Sequence, residues 1–171
     1  YENGQLIFRG HYKDGKEDGL HEKYYDNRQL RSTENYKDGK LDGLSERYKG
    51  NGQLDYQENY KNGKLDGLLE RYYWDNDQLK SRGSYKNDAL NGPYESFYEN
   101  GQLEKKENYK NDARNGPFES FYDNGQLESR GNTRNPQPEE GLFELDGLYE
   151  SFHRNGKLRE KRNYKNGGPE G

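Results

Sequence analysis

Tyr36-Lys37-Asp38-Gly39-Lys40-Leu41-Asp42-Gly43-Leu44 returns 24 residues later as Tyr60-Lys61-Asn62-Gly63-Lys64-Leu65-Asp66-Gly67-Leu68, almost unchanged. Each copy holds a dipeptide, Asp38-Gly39 or Asn62-Gly63, of the kind that reverses a chain through two residues of positive φ. On either side stand Tyr and Leu, which suit a half-buried pleated surface. The stretch between the copies carries a second reversal signal, Asn51-Gly52.

Working outward, the Leu after that second signal recurs at Leu6, Leu30, Leu54, Leu79, Leu103, Leu127 and Leu158, with spacings of 24, 24, 25, 24, 24 and 31. Six residues on come Tyr12, Tyr36, Tyr60, Tyr85, Tyr109, Thr133 and Tyr164, followed by a Gly at Gly19, Gly43, Gly67, Gly92, Gly116 and Gly147. An aromatic then stands at Tyr24, Tyr48, Tyr72, Phe97, Phe121 and Phe152. Two turns per period leave strands of about six to eight residues, the spacing of an antiparallel β array. The fold class expected is therefore all-β: a single-layer antiparallel ladder of stacked hairpins, one repeat domain over residues 1–171, with an insertion loop at about 132–146.

Parity indicates which side chains share a face. With a three-residue tip loop such as Asp26-Asn27-Arg28, the residues Leu20, Glu22 and Tyr24 fall beside Leu30, Ser32, Glu34 and Tyr36. A two-residue loop sets Leu20 and Tyr24 beside Arg31, Thr33 and Asn35 instead. The three-residue loop gathers the Leu and Tyr stripes on one side and is preferred; it gives Arg28 and Asp77 either a positive φ, where other tips carry Gly, or a locally different turn.

Only 26% of the 171 residues are hydrophobic, 35% are charged and mean hydropathy is −1.70, which leans toward disorder. Leu, Ile, Val and Phe together make only 24 residues. Against disorder stand a net charge of only −4 and 17 tyrosines. Tyrosine is thus the expected core residue, its ring buried and its hydroxyl left at a wet edge. No stretch approaches the roughly 20 apolar residues of a membrane span. Cysteine is absent, which excludes disulfides and thiolate metal sites and leaves the compartment open. Because Tyr1 falls inside a repeat, an N-terminal part is expected to precede it and could carry a signal.

The unit from Tyr36 to Leu68, with its Asn-Gly-Gln-Leu and Tyr-Lys-Asn-Gly-Lys-Leu-Asp-Gly-Leu elements, resembles the MORN repeat (membrane occupation and recognition nexus), in its bacterial variant. The resemblance implies a hairpin ladder in which the Gly of the Gly19 to Gly147 column packs closely against a neighbouring aromatic. It also implies membrane attachment, scaffolding or dimerisation, as in eukaryotic members, or the antitoxin and immunity roles attached to bacterial ones, in the cytoplasm or periplasm. Fold alone does not choose among these.

Glu22, Glu46, Glu70, Glu95, Glu119 and Glu150 form a column, but neighbours two strands apart lie about 10 Å from each other, too far to share a proton or a metal ion. Pairing with Lys or a Tyr hydroxyl is expected of them. His11, His21 and His153 fall in different repeats with no fixed spacing to Asp, Glu or Ser, so neither a nucleophilic triad nor a zinc site is expected. Neither enzymatic activity nor a cofactor is expected. A pI near 5.5 argues against nucleic acid and against an anionic membrane as partners.

Departures from the repeat are the better functional signals. The fourth tip gains a residue in Tyr73-Trp74-Asp75-Asn76-Asp77 and places the single Trp there; Tyr73 and Trp74 are candidate partner-binding residues, with folding back over the sheet edge as the alternative. The long spacing holds Pro136 to Leu145, in which Leu142 and Phe143 form an apolar patch. Along one face taken as outward, Lys23, Arg47 and Arg71 give way to Ser96, Ser120 and Ser151, while His21, Ser45 and Leu69 give way to Tyr94, Phe118 and Tyr149. With Tyr98 and Tyr122, these later aromatics complete the candidate partner surface. The expected function is an immunity protein or antitoxin that occludes a protein toxin, the acidic surface suiting a basic one. The alternatives are a scaffold that forms homo-oligomers and a glycan-binding module.

Overall fold

A computed structural model describes Gly4, residues 6–134 and residues 144–170. Among these residues there is no helix, and the strands are antiparallel throughout. The chain divides into two compact units, Tyr1–Asp77 with Tyr85–Asp88, and Gln78–Ser84 with Ala89–Gly171.

In the first unit β1 (Phe8–Arg9), β4 (Gly19–Tyr24), β5 (Leu30–Lys37), β6 (Lys40–Tyr48), β7 (Leu54–Lys61) and β8 (Lys64–Tyr72) pair in that order. There β2 (Tyr12–Lys13) and β3 (Lys16–Glu17) make a separate two-stranded piece. β9 (Leu79–Lys86) is divided between the units. In the second, the order is β10 (Ala89–Phe97), β11 (Leu103–Lys110), β13 (Gly116–Phe121), β14 (Leu127–Arg134), β16 (Gly147–Phe152), β17 (Leu158–Lys165) and β18 (Gly168–Pro169). The short β12 (Ala113–Arg114) pairs with β11, and β15 (Glu144–Leu145) with β14. Both units are thus open ladders of hairpins, as the repeat leads one to expect.

Both turn types follow from local chemistry. At the tip, Arg28 N donates to Tyr25 O (3.1 Å) and Tyr25 N to Gln29 O (2.8 Å), enclosing Asp26-Asn27-Arg28. Arg28 takes φ 71°, where other tips have Gly, so the three-residue loop is the one formed there; Asp77, at the end of the longer fourth tip, takes φ 57°. The opposite turn has two positive-φ residues, Asp38 (50°) and Gly39 (80°). In later copies Asp replaces the Gly: Asp88 takes φ 72°, accepts from Leu65 N (2.8 Å) and donates its own N–H to Leu65 O (2.9 Å). That carboxylate links a turn to the preceding hairpin, an addition Gly cannot make.

The face assignment differs from expectation. Tyr24 is opposite Leu30, but the next pair is Lys23 with Ser32, so Arg31 is left unpaired in a bulge. The same skip recurs at Asp55, Glu104, Glu128 and Arg159. One extra residue inverts every side chain beyond it. Leu20 therefore faces Asn35 and Glu22 faces Thr33, while His21 faces Glu34 and Gly19 faces Tyr36. The Leu and Tyr stripes expected on one side lie on opposite sides. One face, the carboxylate face, carries Leu20, Glu22, Tyr24 and their equivalents; the other, the tyrosine face, carries His21, Lys23, Ser32, Glu34 and Tyr36.

The column glycines stand opposite a Tyr in the ladder, Gly19 opposite Tyr36 and Gly43 opposite Tyr60, and are crowded by an Asn as well. At Gly43 (φ 115°) and Gly67 (φ 133°) a Cβ would lie 3.3 Å and 2.8 Å from the Cβ of Asn35 and Asn59. These Asn side chains donate to Leu44 O (2.7 Å) and Leu68 O (2.9 Å), bridging the irregular stretch where the ladder skips. Both the positive φ and the crowding exclude a side chain.

Few side chains are fully enclosed; among the described hydrophobic residues only Leu69 and Ala113 are. Cohesion comes instead from links between successive hairpins. Tyr25 donates its hydroxyl to Tyr48 O (2.7 Å), Tyr98 to Phe121 O (2.8 Å) and Tyr122 to Phe152 O (3.0 Å). Tip Asn side chains do the same, Asn27 to Gly50 O (2.9 Å) and Asn100 to Asp123 O (2.7 Å). Replacing Tyr98 by Phe keeps the ring but strands Phe121 O, and is expected to cost about 1 kcal/mol with an unchanged denaturant slope, measured by urea unfolding.

Candidate functional site

On the tyrosine face of the first unit, Tyr36 donates to Glu34 (2.9 Å) and Tyr60 to Glu58 (2.7 Å). Lys23 also reaches Glu34 (2.9 Å). Burial, and then the carboxylate each hydroxyl bonds, push the phenols of Tyr36 and Tyr60 well above the ordinary tyrosine range. His21, 1% exposed, sits among the rings of Phe8, Tyr12 and Tyr36, with Nε2 2.9 Å from His11 O. His11 Nδ1 lies 3.0 Å from Leu20 O, so these two histidines do structural work. Among the described residues no group of His, Asp or Glu is gathered to hold a metal ion.

The candidate residues fall into distinct environments. Tyr94 is half-buried against Tyr109 (ring centroids 5.9 Å), Phe118 against Tyr149 (6.5 Å), and Tyr149 against Tyr164 (6.1 Å). Instead of a flat outward surface these rings form the packing of the tyrosine face, because the bulge sets them on the side of the Tyr column. Tyr98 and Tyr122 are half-buried too, their hydroxyls committed to the next hairpin. Leu142 and Phe143 lie outside the described residues. Trp74 alone is broadly open, 64% exposed at its tip.

Sequence reading missed the residue that holds Trp74 there. Lys49 occupies the position that Tyr25, Tyr73, Tyr98 and Tyr122 fill in other repeats, yet it is 1% exposed. Its Nζ donates to Tyr73 O (2.5 Å), Trp74 O (3.1 Å) and Asp77 Oδ1 (2.8 Å) and stands 5.5 Å from the Trp74 ring centroid. Gln53 adds a bond to the other Asp77 oxygen. One ammonium thus ties both ends of the longer tip, its three donors matched by three acceptors. The signal was available: the one Lys in a Tyr column precedes the one lengthened tip by a single repeat.

On the carboxylate face, residues opposite one another across the second unit alternate in sign: Glu95 with Lys106, Lys106 with Glu119, Glu119 with Arg130, Arg130 with Glu150, Glu150 with Lys161. Lys161 (3.0 Å) and Arg130 (2.7 Å) hold the Glu150 carboxyl below its usual range. A cavity of about 550 Å³ opens on this face, with Lys106, Pro117, Glu119, Arg130 and Leu148 among its walls. The first unit reads Glu22, Thr33, Glu46, Gln57, Glu70 along the same line. Glu46 accepts from Thr33 (3.0 Å), and Glu70 from Gln57 and from Tyr72 (3.2 Å). Pairing was expected of this column; in the first unit Glu22 takes Arg9 (2.5 Å) while Glu46 and Glu70 take neutral donors, and in the second Glu95 and Glu150 take cations.

A family model for the MORN repeat variant matches residues 1–14, 17–38, 41–62, 67–87, 90–111, 114–135 and 145–166. The chain belongs to that family. No curated protein matches it significantly.

Two outcomes test this geometry. Tyr36 and Tyr60 stay neutral in the folded chain beyond the ordinary value of about 10, so stability is full below that pH and declines as pH rises past it. An alkaline absorbance titration is expected to show a late tyrosine class that ionises together with unfolding. Lys49→Met removes the ammonium from the Tyr73 and Trp74 carbonyls and leaves Asp77 only its bond from Gln53, so a loss of about 2–4 kcal/mol is expected, with a shift in Trp fluorescence before global unfolding.

Proposed function

We propose that this chain is a non-catalytic protein-binding module, and more specifically an immunity protein or antitoxin that occludes a protein toxin with a basic surface. The observation that carries the binding reading is Trp74: a large amphipathic ring held open to solvent on a tip whose backbone is fixed by a buried ammonium. An anchor that is already ordered loses little conformational entropy on docking, the condition under which a single aromatic contributes strongly to affinity. The toxin reading is supported by the net charge of −4 and by the carboxylate face of the first unit, both suited to rapid encounter with a basic partner.

Co-expression with toxins encoded beside the gene, followed by affinity measurement, tests both levels. Trp74→Ala is expected to weaken the complex by about 2 kcal/mol, roughly thirtyfold, while leaving the urea midpoint nearly unchanged. Failure to protect cells from any neighbouring toxin would dispose of the antitoxin reading. Unaltered affinity of the Trp74 variant for a captured partner would dispose of the tip as anchor.

A further inference from the structure

The two units treat the same line of the ladder in opposite ways. In the second, Lys106, Arg130 and Lys161 stand at the positions opposite Glu95, Glu119 and Glu150, so the chain supplies its own counter-charges. In the first, Thr33 and Gln57 occupy those positions opposite Glu22 and Glu46. Glu22 keeps Arg9 (2.5 Å), but the partners of Glu46 and Glu70 are hydroxyls and an amide. Among the described residues neither of these half-buried carboxylates has a cation within ion-pair distance, so each offers a partner's cation an unmatched acceptor. Beside this acidic row runs an apolar one, Leu20, Leu44 and Leu68, exposed by 38%, 36% and 39% although Leu is normally an interior residue.

Spacing selects the occupant. Equivalent residues recur every second strand, about 9.6 Å apart at 4.8 Å per strand. Seven residues of an α-helix advance about 10.5 Å and return to nearly the same side. The mismatch of about 1 Å per repeat is within reach of the flexible stems of Lys and Arg. An extended strand covers the same distance in about three residues, but its third residue points to the opposite side. A shared metal ion is excluded by the same separation.

Resting on the protein-binding reading above, we infer that the carboxylate face of the first unit receives a basic amphipathic α-helix of the partner, laid across the strands. Its Lys or Arg recur every seventh residue opposite Glu46 and Glu70, and its apolar stripe covers Leu20, Leu44 and Leu68. Partner cations complete in the first unit the alternation that the second unit makes for itself.

The probe is a fluorescent synthetic peptide of about three heptads, with one Arg and adjoining Leu in each, compared with a scrambled peptide of equal composition. The intact chain is expected to bind the heptad peptide at least about tenfold more tightly than the scrambled one, with affinity falling as salt rises. Glu46→Gln with Glu70→Gln keeps the shapes and is expected to lower affinity about tenfold. Thr33→Arg with Gln57→Arg supplies the missing cations in cis and is expected to abolish binding while the urea midpoint stays level or rises. Equal binding of the two peptides, or affinity indifferent to both double variants, would overturn the assignment. So would concentration-dependent self-association lost in the Glu46 and Glu70 variant, which would give this face to the cationic side of a second copy. A partner that depends on Trp74 while the peptides bind alike would leave the binding reading standing and remove only the helix.

Discussion

The residue skipped by the ladder beneath five of the tips, Arg31, Asp55, Glu104, Glu128 and Arg159, decides how the two faces are composed. A three-residue loop alone would join the Leu and Tyr stripes on one side of a sheet with too little aliphatic material to cover the other. The bulge at Arg31 and its counterparts divides them, so that each face receives one apolar stripe and one row of carboxylates. On the tyrosine face Tyr36 and Tyr60 of the first unit, and Tyr109 of the second, each give the hydroxyl to a Glu, while Tyr48 and Tyr72 meet Glu46 and Glu70 on the carboxylate face of the first. A thin sheet with two wet sides becomes stable because each large ring carries its own polar terminus to a waiting acceptor.

From that division follows a separation of duties. The tyrosine face and the tip columns hold hairpin to hairpin, through ring pairs and through hydroxyls and amides that reach the next repeat's carbonyls. The carboxylate face needs no further closure, and its chemistry is free to vary between the units. In the second unit, opposite charges alternate across the strands. In the first, neutral residues leave Glu46 and Glu70 beside exposed leucines.

Much of the fold was legible before any coordinates. The period, the antiparallel pairing, the three-residue tips and the positive φ of Arg28 and Asp77 all follow from turn chemistry that acts over a few residues. Face assignment was not legible, because the bulge has no distinctive side-chain signature: Arg31, Asp55, Glu104, Glu128 and Arg159 are all charged, but in a chain that is 35% charged that trait marks no position as unpaired. That single inversion carried through to the candidate site and moved Tyr94, Phe118 and Tyr149 from an expected outer surface into packing. Trp74 needed only the count of residues in its loop and was located correctly at the tip. Lys49 was overlooked because a Lys in a polar chain looks ordinary until its column is compared with the Tyr of neighbouring repeats.

The tie between Lys49 and the lengthened tip also bears on how such a chain can evolve. Most hairpins here are interchangeable units whose links run to whichever copy follows, and could be duplicated or deleted with modest consequence. The Lys49 hairpin and the Trp74 hairpin are not. A buried ammonium beside a tip of ordinary length would lose its carbonyl and carboxylate acceptors, and the longer tip beside a Tyr would lose its fastening. Each change is expected to be harmful alone and tolerable only with the other, a coupling between neighbouring hairpins within an otherwise modular array.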